Sequence, residues 1–376
     1  MLITMTIVLT WILAFFLCSL AIWLLARKTL GVWRQSELDV QRQQFLRAFP
    51  PILFIEPSAA SSEDPKRAWQ KAVASQIGRI NLSFQSGTRR HQQIRREAAR
   101  SVLEELSGTV SGEVRHRLTY LFEQFGFARE QIMQLSNRRW WIRGQAARRL
   151  GIIRSRLAVL PLVKLLLDHE RDVRIAASQS LLDIAGVKGG LHQILQNLTS
   201  ITPWMSVLLS KRIIAAGPAS IGPLLAGLES PSVSVRQFAI RMLGELRAPE
   251  VIGPIYARFA SMDEQTTILA LNTLGRCGDE RVLEVLLANT EGKRTRVRLA
   301  AIAGLGHLGS PLAIPTLKRE ILAPQLSVQR AAAEALAKIP TSGKEALNEI
   351  AVSSTGTARA LALEALDEMT MVEAGR

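Results

Sequence analysis

A period of about 31 residues runs through the second half of the chain and restricts what it can fold into. Three ten-residue windows align closely, VRLAAIAGLG from Val297, VRQFAIRMLG from Val235 and IRGQAARRLG from Ile142. A fourth in the same register begins at Val173, and weaker copies begin at Thr266, Val328 and Ala358, with a degraded one near Met205. The eight starting points follow one another at 31, 32, 30, 31, 31, 31 and 30 residues. Such regularity indicates repeated supersecondary units.

Each window predicts one helix of a two-helix unit. Apolar or small residues stand at offsets 0, 3, 4, 7 and 8, which is one face of an α-helix; in one window they are Val297, Ala300, Ala301, Gly304 and Leu305. A proline follows 18 or 19 residues after several of the starting points, at Pro161, Pro223, Pro254 and Pro315. Proline suits the first turn of a helix, so a second helix is predicted there. A hairpin of this size cannot bury its own apolar face, and stacking of hairpins predicts an all-α solenoid.

The Val-Arg-x-x-Ala-Ala start and the Leu-Gly helix end resemble the HEAT-like repeats of the short, phycobilisome-lyase class. The resemblance covers about residues 138–370 and implies a right-handed α-solenoid whose second helices line the concave face. Thr266-Thr267 and Val328-Gln329 depart from the Val-Arg pair, although they keep the period. Repeats of this kind occur in scaffolds, adaptors, lyases and a few nucleic-acid enzymes, so the resemblance implies an architecture and no single activity.

The N-terminal segment predicts a membrane anchor. Residues 2–26 carry no charge, and 25 helical residues would extend about 37 Å, against about 30 Å for a hydrocarbon core. No Lys or Arg precedes the segment and no small-x-small site follows it, which favours a transmembrane helix over a cleaved signal peptide. Trp23 and Trp33 lie near Arg27 and Lys28 at its end. The positive-inside rule then predicts a single-pass protein of the inner membrane with a cytoplasmic repeat domain.

Four segments are predicted along the chain. Residues 1–30 form the transmembrane anchor, and residues 31–65 a juxtamembrane helix with a Pro/Ser-rich linker. Residues 66–137 form a basic, irregular helical N-terminal cap, and residues 138–376 the HEAT-like solenoid with its C-terminal cap. The two cysteines, Cys18 and Cys277, are too far apart and too unlike in surroundings for a disulfide framework or a cysteine zinc site.

Positive charge is concentrated in one part of the chain. The whole sequence has 47 Lys and Arg against 32 Asp and Glu, but residues 66–156 alone have 19 against 6. Six acids cannot pair with nineteen cations, so part of this basic block is predicted to bind a partner or a lipid surface. The predicted contact residues are Arg89, Arg90, Arg95, Arg96, Arg138, Arg139, Trp140, Trp141, Arg143, Arg148 and Arg149.

Three interpretations of the basic block remain open. Solvated or ion-paired arginines explain about a third of the excess, anionic lipid headgroups are a second explanation, and an acidic protein or a nucleic acid is a third. Lipid or acidic protein is favoured over nucleic acid. Because helical neighbours point about 100° apart, one of Trp140 and Trp141 is expected in the core. Trp204 is expected in the core between repeats.

The sequence predicts no catalytic residue, metal site or cofactor. It has no HExxH motif, no glycine-rich phosphate loop and no GxSxG turn, and no His stands at ligand spacing from another. The predicted function is a membrane-anchored, noncatalytic scaffold or adaptor without a small-molecule substrate, which binds a protein such as a membrane-embedded complex. The alternative is a HEAT-like enzyme, lyase-like or DNA glycosylase-like, that uses the basic groove. A glycosylase would need a carboxylate facing that groove, from Glu97, Glu104, Glu105, Glu113, Glu123 or Glu130.

Overall fold

A computed structural model describes residues 2–56, 64–292 and 294–374, and within these ranges the regular structure is helical. The chain divides into two compact units, Met1–Leu162 and Val163–Arg376. The first unit contains α1 (Leu2–Leu53), α2 (Pro65–Gln85), α3 (Arg89–Thr109), α4 (Gly112–Gln124), α5 (Phe127–Gln134) and α6 (Trp140–Ile153), and α7 (Val159–Leu165) lies at the limit of the two. The four predicted segments have other limits and stay a prediction.

The helix α1 is continuous through Arg27 and Lys28 and docks its second half on α3. Arg34 pairs with Glu97 at 2.8 Å, and Arg42 with Glu105 at 2.6 Å. One face of the end of α1 is buried, with Phe45, Phe49, Ile52 and Leu53 each at most 7% exposed. This face of α1 is therefore part of the first unit's core.

The predicted transmembrane helix and inner-membrane localisation are corrected by this structure. No helix among the described residues is both long enough and apolar enough to cross a membrane. The helix that contains the predicted span continues into the charged and buried half just described, with ion pairs to α3. The side chains of residues 2–15, which form much of that span, lie outside the described part of the chain.

An aromatic cluster forms the core of the first unit, and the repeat pattern gave no sign of it. Neighbouring rings have centroids 5.4 to 6.1 Å apart across α1, α2, the α4–α5 turn and α5. Its members are Phe45, Phe49, Phe84, Phe122, Phe125 and Phe127. Such rings bury large apolar areas, and two of the pairs, Phe84 with Phe125 and Phe122 with Phe127, meet edge to face, so the cluster stabilises the unit.

The second unit is a series of helical hairpins. Its helices are α8 (Arg171–Gly186), α9 (His192–Asn197), α10 (Pro203–Ala216), α11 (Ile221–Gly227), α12 (Val233–Glu245), α13 (Ile252–Arg258), α14 (Glu264–Cys277), α15 (Leu283–Thr290), α16 (Thr295–Leu308), α17 (Ile314–Glu320), α18 (Leu326–Ala337), α19 (Ser342–Ser353) and α20 (Gly356–Ala374). Every predicted window of this unit starts on a buried residue, including Met205 of the degraded copy at 1% exposed. Pro223, Pro254 and Pro315 lie in the first turns of α11, α13 and α17.

The glycine of the Leu-Gly helix end lets consecutive first helices approach closely. A Cβ on Gly275 in α14 would lie 2.3 Å from the carbonyl oxygen of Gly304 in α16. A Cβ on Gly244 would lie 2.7 Å from Oγ1 of Thr273, and one on Gly306 would lie 2.7 Å from Cα of Ala335. The seam from α12 to α18 therefore requires glycine where backbone meets a neighbouring helix.

In α8 and α12 the arginine of the Val-Arg pair closes the turn before its own helix, whereas Arg298 of α16 pairs with Glu320. Arg174 donates from Nη1 to the carbonyls of Asp168 and His169 at 2.7 and 3.0 Å. Arg236 donates in the same way to the carbonyls of Ser230 and Pro231 at 2.8 and 3.0 Å. Gln329, which replaces the arginine in α18, donates to the carbonyl of Ala323 at 2.7 Å, again six residues back. In these three helices the side chain satisfies carbonyl groups of the preceding turn that have no other partner in the helix.

Candidate functional site

Two arginines of the basic block stabilise the first unit itself. Arg95 donates to the carbonyl of Ser83 at 2.9 Å and to Oγ of Ser86 at 2.5 Å, which fastens the turn between α2 and α3. The guanidinium of Arg96 lies 5.4 and 5.0 Å from the ring centroids of Phe84 and Phe127. Arg96 also donates to the carbonyl of Phe125 at 3.1 Å and pairs with Glu130. Both side chains are already occupied within the unit.

Arg143 and Arg149 also have partners within the unit. Arg143 donates to the carbonyls of Asn137 and Arg138 at 2.9 and 3.2 Å, as the Val-Arg arginines of the second unit do. Arg149 and Arg100 lie 3.5 and 3.8 Å from Glu104, whose side chain is 18% exposed. Burial raises the pKa of Glu104, against the opposing pull of Arg149 and Arg100. Arg149 therefore holds a half-buried carboxylate rather than a surface charge.

Each of the six carboxylates in the basic block has a polar partner. Glu97, Glu105 and Glu130 pair with Arg34, Arg42 and Arg96, and Glu113 pairs with Arg117. Glu123 accepts a hydrogen bond from Oγ of Ser155 at 2.7 Å, and Glu104 lies between its two arginines.

An exposed surface remains at the start of α6, and we call it the α6 face. It consists of Arg138, Arg139, Trp140, Trp141 and Arg148. Trp140 and Trp141 are 39% and 50% exposed, and their rings meet edge to face with centroids 6.2 Å apart. The expectation that one of them lies in the core is wrong. Both indoles stand in the first turn of α6, so no preceding turn of the helix lies beneath them.

The cations of the α6 face have no carboxylate partner within the described residues. The guanidinium of Arg139 lies 5.6 Å from the ring centroid of Trp141. Arg148 stands two helical turns after Trp141, on the same side of α6. Arg89 and Arg90 are exposed at the start of α3, where Arg90 lies 4.9 Å from the ring centroid of Trp33. Free guanidinium groups beside solvent-facing indoles suit carboxylates and apolar side chains together.

The second unit contains a cavity whose charged residues are held by an ion pair or by backbone hydrogen bonds. The cavity is about 430 Å³ and lies between α11, α12 and α13. Its Arg258 pairs with Glu229, and Asp263 accepts from the backbone N–H of Thr266 at 2.6 Å. These charged residues have structural roles, in helix capping and in pairing between repeats, so the cavity gives no evidence of a catalytic group.

Trp204, Cys277 and the metal-ligating residues of the described chain do not form a further site. Trp204 is 56% exposed on α10, so the expectation that it lies between repeats is wrong. Burial and the nearby Asp279 and Glu250 raise the pKa of the Cys277 thiol to about 11, which disfavours a nucleophilic thiolate. No group of three or more metal-ligating side chains occurs among the residues that the structure describes.

Comparisons with known proteins support the repeat architecture. A family described as HEAT repeats matches residues 221–296 and 290–367. Together with the helical hairpins, this match confirms an all-helical solenoid with HEAT repeats over residues 221–367, and no helix of the described residues could be the predicted transmembrane span. No curated protein matches the chain by sequence.

Solved structures that resemble the chain do so at low identity. An engineered protein is 18% identical, with a TM-score of 0.34, covering 88% of this chain and 99% of its own. The CpcE and CpcF complex of phycocyanin lyase from Nostoc sp. PCC7120 is 18% identical, with a TM-score of 0.28, covering 64% and 94%. Human deoxyhypusine hydroxylase is 17% identical, with a TM-score of 0.27, covering 80% and 98%.

Proposed function

We propose that this protein is a noncatalytic scaffold that binds an acidic protein partner through the α6 face. The main evidence is the exposed pair Trp140 and Trp141 beside three arginines, Arg138, Arg139 and Arg148. None of these arginines has a carboxylate partner among the described residues. Tryptophan and arginine dominate the binding energy of protein interfaces when they are buried together. The HEAT-repeat unit provides the rigid stack of helices that such a scaffold needs.

The charge of the face favours an acidic protein over the other candidate ligands. A nucleic acid would be held by a groove that follows its phosphates over many residues, whereas four of the eleven predicted contact residues are used inside the unit. Anionic lipid headgroups would pair with the arginines and a membrane interface also accepts indoles, but an exposed Trp-Arg cluster is equally the composition of a protein-binding hot spot. Carboxylates with apolar neighbours use both kinds of group.

The arrangement of the carboxylates supports a noncatalytic role. A DNA glycosylase-like reaction needs a free carboxylate in the basic groove, but the six acids of the block are each engaged by an arginine or a hydroxyl. A lyase-like reaction needs an acid, base or nucleophile in a pocket, and the charged residues of the second unit's cavity are held by an ion pair or by backbone hydrogen bonds. These contacts favour the noncatalytic role over the enzyme alternative.

The test is affinity purification of the tagged full-length protein with nuclease present. The test variant is Arg138→Glu, Arg139→Glu and Arg148→Glu combined. The control makes the same charge change at three exposed cations of α2, Lys66→Glu, Arg67→Glu and Arg79→Glu. We expect an acidic protein that co-purifies with the natural sequence and the control, and that the test variant loses at least tenfold. Equal recovery by both variants, or recovery that nuclease abolishes, would contradict the proposal.

A further inference from the structure

An apolar strip of α20 is left without a partner among the described residues. Leu363 and Met371 are 45% and 76% exposed. They line one open depression together with Ala360, Glu364, Asp367 and Glu368. At about 100° per residue these side chains fall within an arc of about 140°, so they form one face of the helix, which we call the α20 face. One cation, Arg359, stands at its rim.

Two opposite requirements meet on the α20 face. Exposed Leu and Met side chains gain free energy when they are covered, but the three carboxylates around them would be destabilised in an apolar site without cations. A partner must therefore bring an apolar surface and positive charge in the same patch. An uncharged apolar groove would leave Glu364, Asp367 and Glu368 unpaired.

The α6 face has this composition. It sets two exposed indoles beside Arg138, Arg139 and Arg148, so that three guanidinium groups and two apolar side chains stand against three carboxylates and two apolar side chains. Guanidinium and carboxylate groups form short, charge-assisted hydrogen bonds, and a methionine sulfur packs favourably against an indole. The lengths also agree, because Trp141 to Arg148 spans about 11 Å of helix and Leu363 to Met371 about 12 Å.

We propose that the α20 face of one molecule docks on the α6 face of a second copy of this chain. The inference rests on the proposed function, because it uses the α6 face and names its acidic partner. The two surfaces differ, so the contact is heterologous, and the pair keeps one free α6 face on one molecule and one free α20 face on the other. Association then continues head to tail as the concentration rises. The contact involves about five side chains from each copy, so it is weak and sensitive to salt.

Sedimentation velocity of the full chain tests this contact over a range of concentrations. A non-ionic detergent is kept in every sample, because Phe16 and Trp23 of α1 are 71% and 55% exposed and would associate without specificity. We expect the weight-average sedimentation coefficient to rise with concentration at about 50 mM salt and to stop rising at about 500 mM, as screening predicts. Circular dichroism verifies that each variant is folded.

Charge reversal on each face provides the decisive comparison. Reversal of the α6 face (Arg138, Arg139 and Arg148→Glu) and reversal of the α20 face (Glu364, Asp367 and Glu368→Lys) should each abolish the concentration dependence. A chain with both reversals restores opposite charges across the contact, and it should associate again. The α2 control variant described above should behave as the natural sequence does.

The failure of this inference can be told apart from failure of the proposed function. Absence of concentration dependence in the natural sequence, or no recovery in the doubly reversed chain, would overturn the second-copy contact. If the α6-reversed chain still loses an acidic protein in the affinity purification, the proposed function stands and its partner is another protein. If the α6-reversed chain recovers the acidic protein as well as the natural sequence does, and the second-copy contact is also absent, both the proposed function and the second-copy contact are wrong.

Discussion

Replacement of Gly275 by alanine should destabilise the second unit through its helix seam. The added Cβ would lie 2.3, 2.6 and 2.7 Å from the carbonyl oxygen, Cα and carbonyl carbon of Gly304. All three atoms belong to backbone, so no side chain can rotate away, and α14 and α16 must separate by about 1 Å to reach ordinary contact. Overpacking of this kind costs about 3 kcal/mol, the upper end of its usual range, and the helix propensity of alanine returns about 1 kcal/mol.

The net loss of about 2 kcal/mol corresponds to a fall in Tm of roughly 4 to 8 °C for a unit of about 200 residues. Gly253→Ala is the matched control, because Gly253 is exposed in α13 and a Cβ there meets nothing within 4 Å. Gly304→Ala should cost less than Gly275→Ala, since its closest contact at 2.8 Å is the flexible end of Leu286.

Thermal unfolding followed by circular dichroism measures the three variants, and hydrogen exchange locates the effect. Faster exchange should be concentrated in α14 and α16 of the Gly275→Ala chain. A Tm for Gly275→Ala equal to or above that of Gly253→Ala would refute the close-packed seam.

Three further predictions follow from the capping and ion-pair contacts. Arg236→Met should lower the free energy of unfolding by about 1.5 to 3 kcal/mol, as expected for the loss of hydrogen bonds from a charged group. Arg236→Gln should lower it by less, because Gln329 makes one such bond at the same position of α18. Equal denaturant midpoints for the two variants and the natural sequence would contradict this prediction. Hydrogen bonds from Thr266 lower the pKa of Asp263, so the stability that the carboxylate contributes is complete above the ordinary pKa of 3.8 and is lost as the pH falls. Asp263→Asn should reduce this loss of stability in acid when Tm is measured against pH. A profile identical to that of the natural sequence would exclude a stabilising role of the Asp263 cap. Arg149→Met should destabilise the first unit by roughly 1 to 3 kcal/mol near neutral pH, and by less in acid, where protonated Glu104 needs no cation. A loss of stability that does not depend on pH would contradict the ion pair between Arg149 and Glu104.

The period of the sequence was enough to predict the architecture of the second unit. Stacking requires small residues on the inner side of each first helix, and proline is restricted to first turns, so both leave regular marks. The pattern marks Gly304 as a small residue of the buried face, but it does not predict that Gly304 approaches the backbone of Gly275. Which backbone atoms meet depends on the rotation between repeats, and no local pattern encodes that.

The first unit was less predictable because its contacts join distant residues. Arg34 and Glu97 are separated by 63 residues, as are Arg42 and Glu105. From the sequence, only carboxylates were counted as possible partners of the arginines in the basic block. Arg95 and Arg143 donate instead to backbone carbonyls, which the composition does not reveal. The apolar start of α1 suggested a membrane span, and the continuous helix with its docked second half was not foreseen.

Tryptophan exposure could not be predicted from helix periodicity. Trp140 and Trp141 stand in the first turn of α6, where burial depends on which elements lie next to that end of the helix. Trp204 stands in the first turn of α10, in the degraded repeat, and faces outward for the same reason. The residues best suited to bind a partner were therefore those whose surroundings the pattern left undefined.

The most direct test of the scaffold account is a hydrogen-exchange footprint of the full-length protein with and without its co-purified acidic partner. The account predicts slower exchange on binding in residues 138–148, which carry the α6 face. The α6-reversed chain should show no such change at the same partner concentration. Protection confined to α10, or to the cavity between α11 and α13, with residues 138–148 unchanged, would contradict the account.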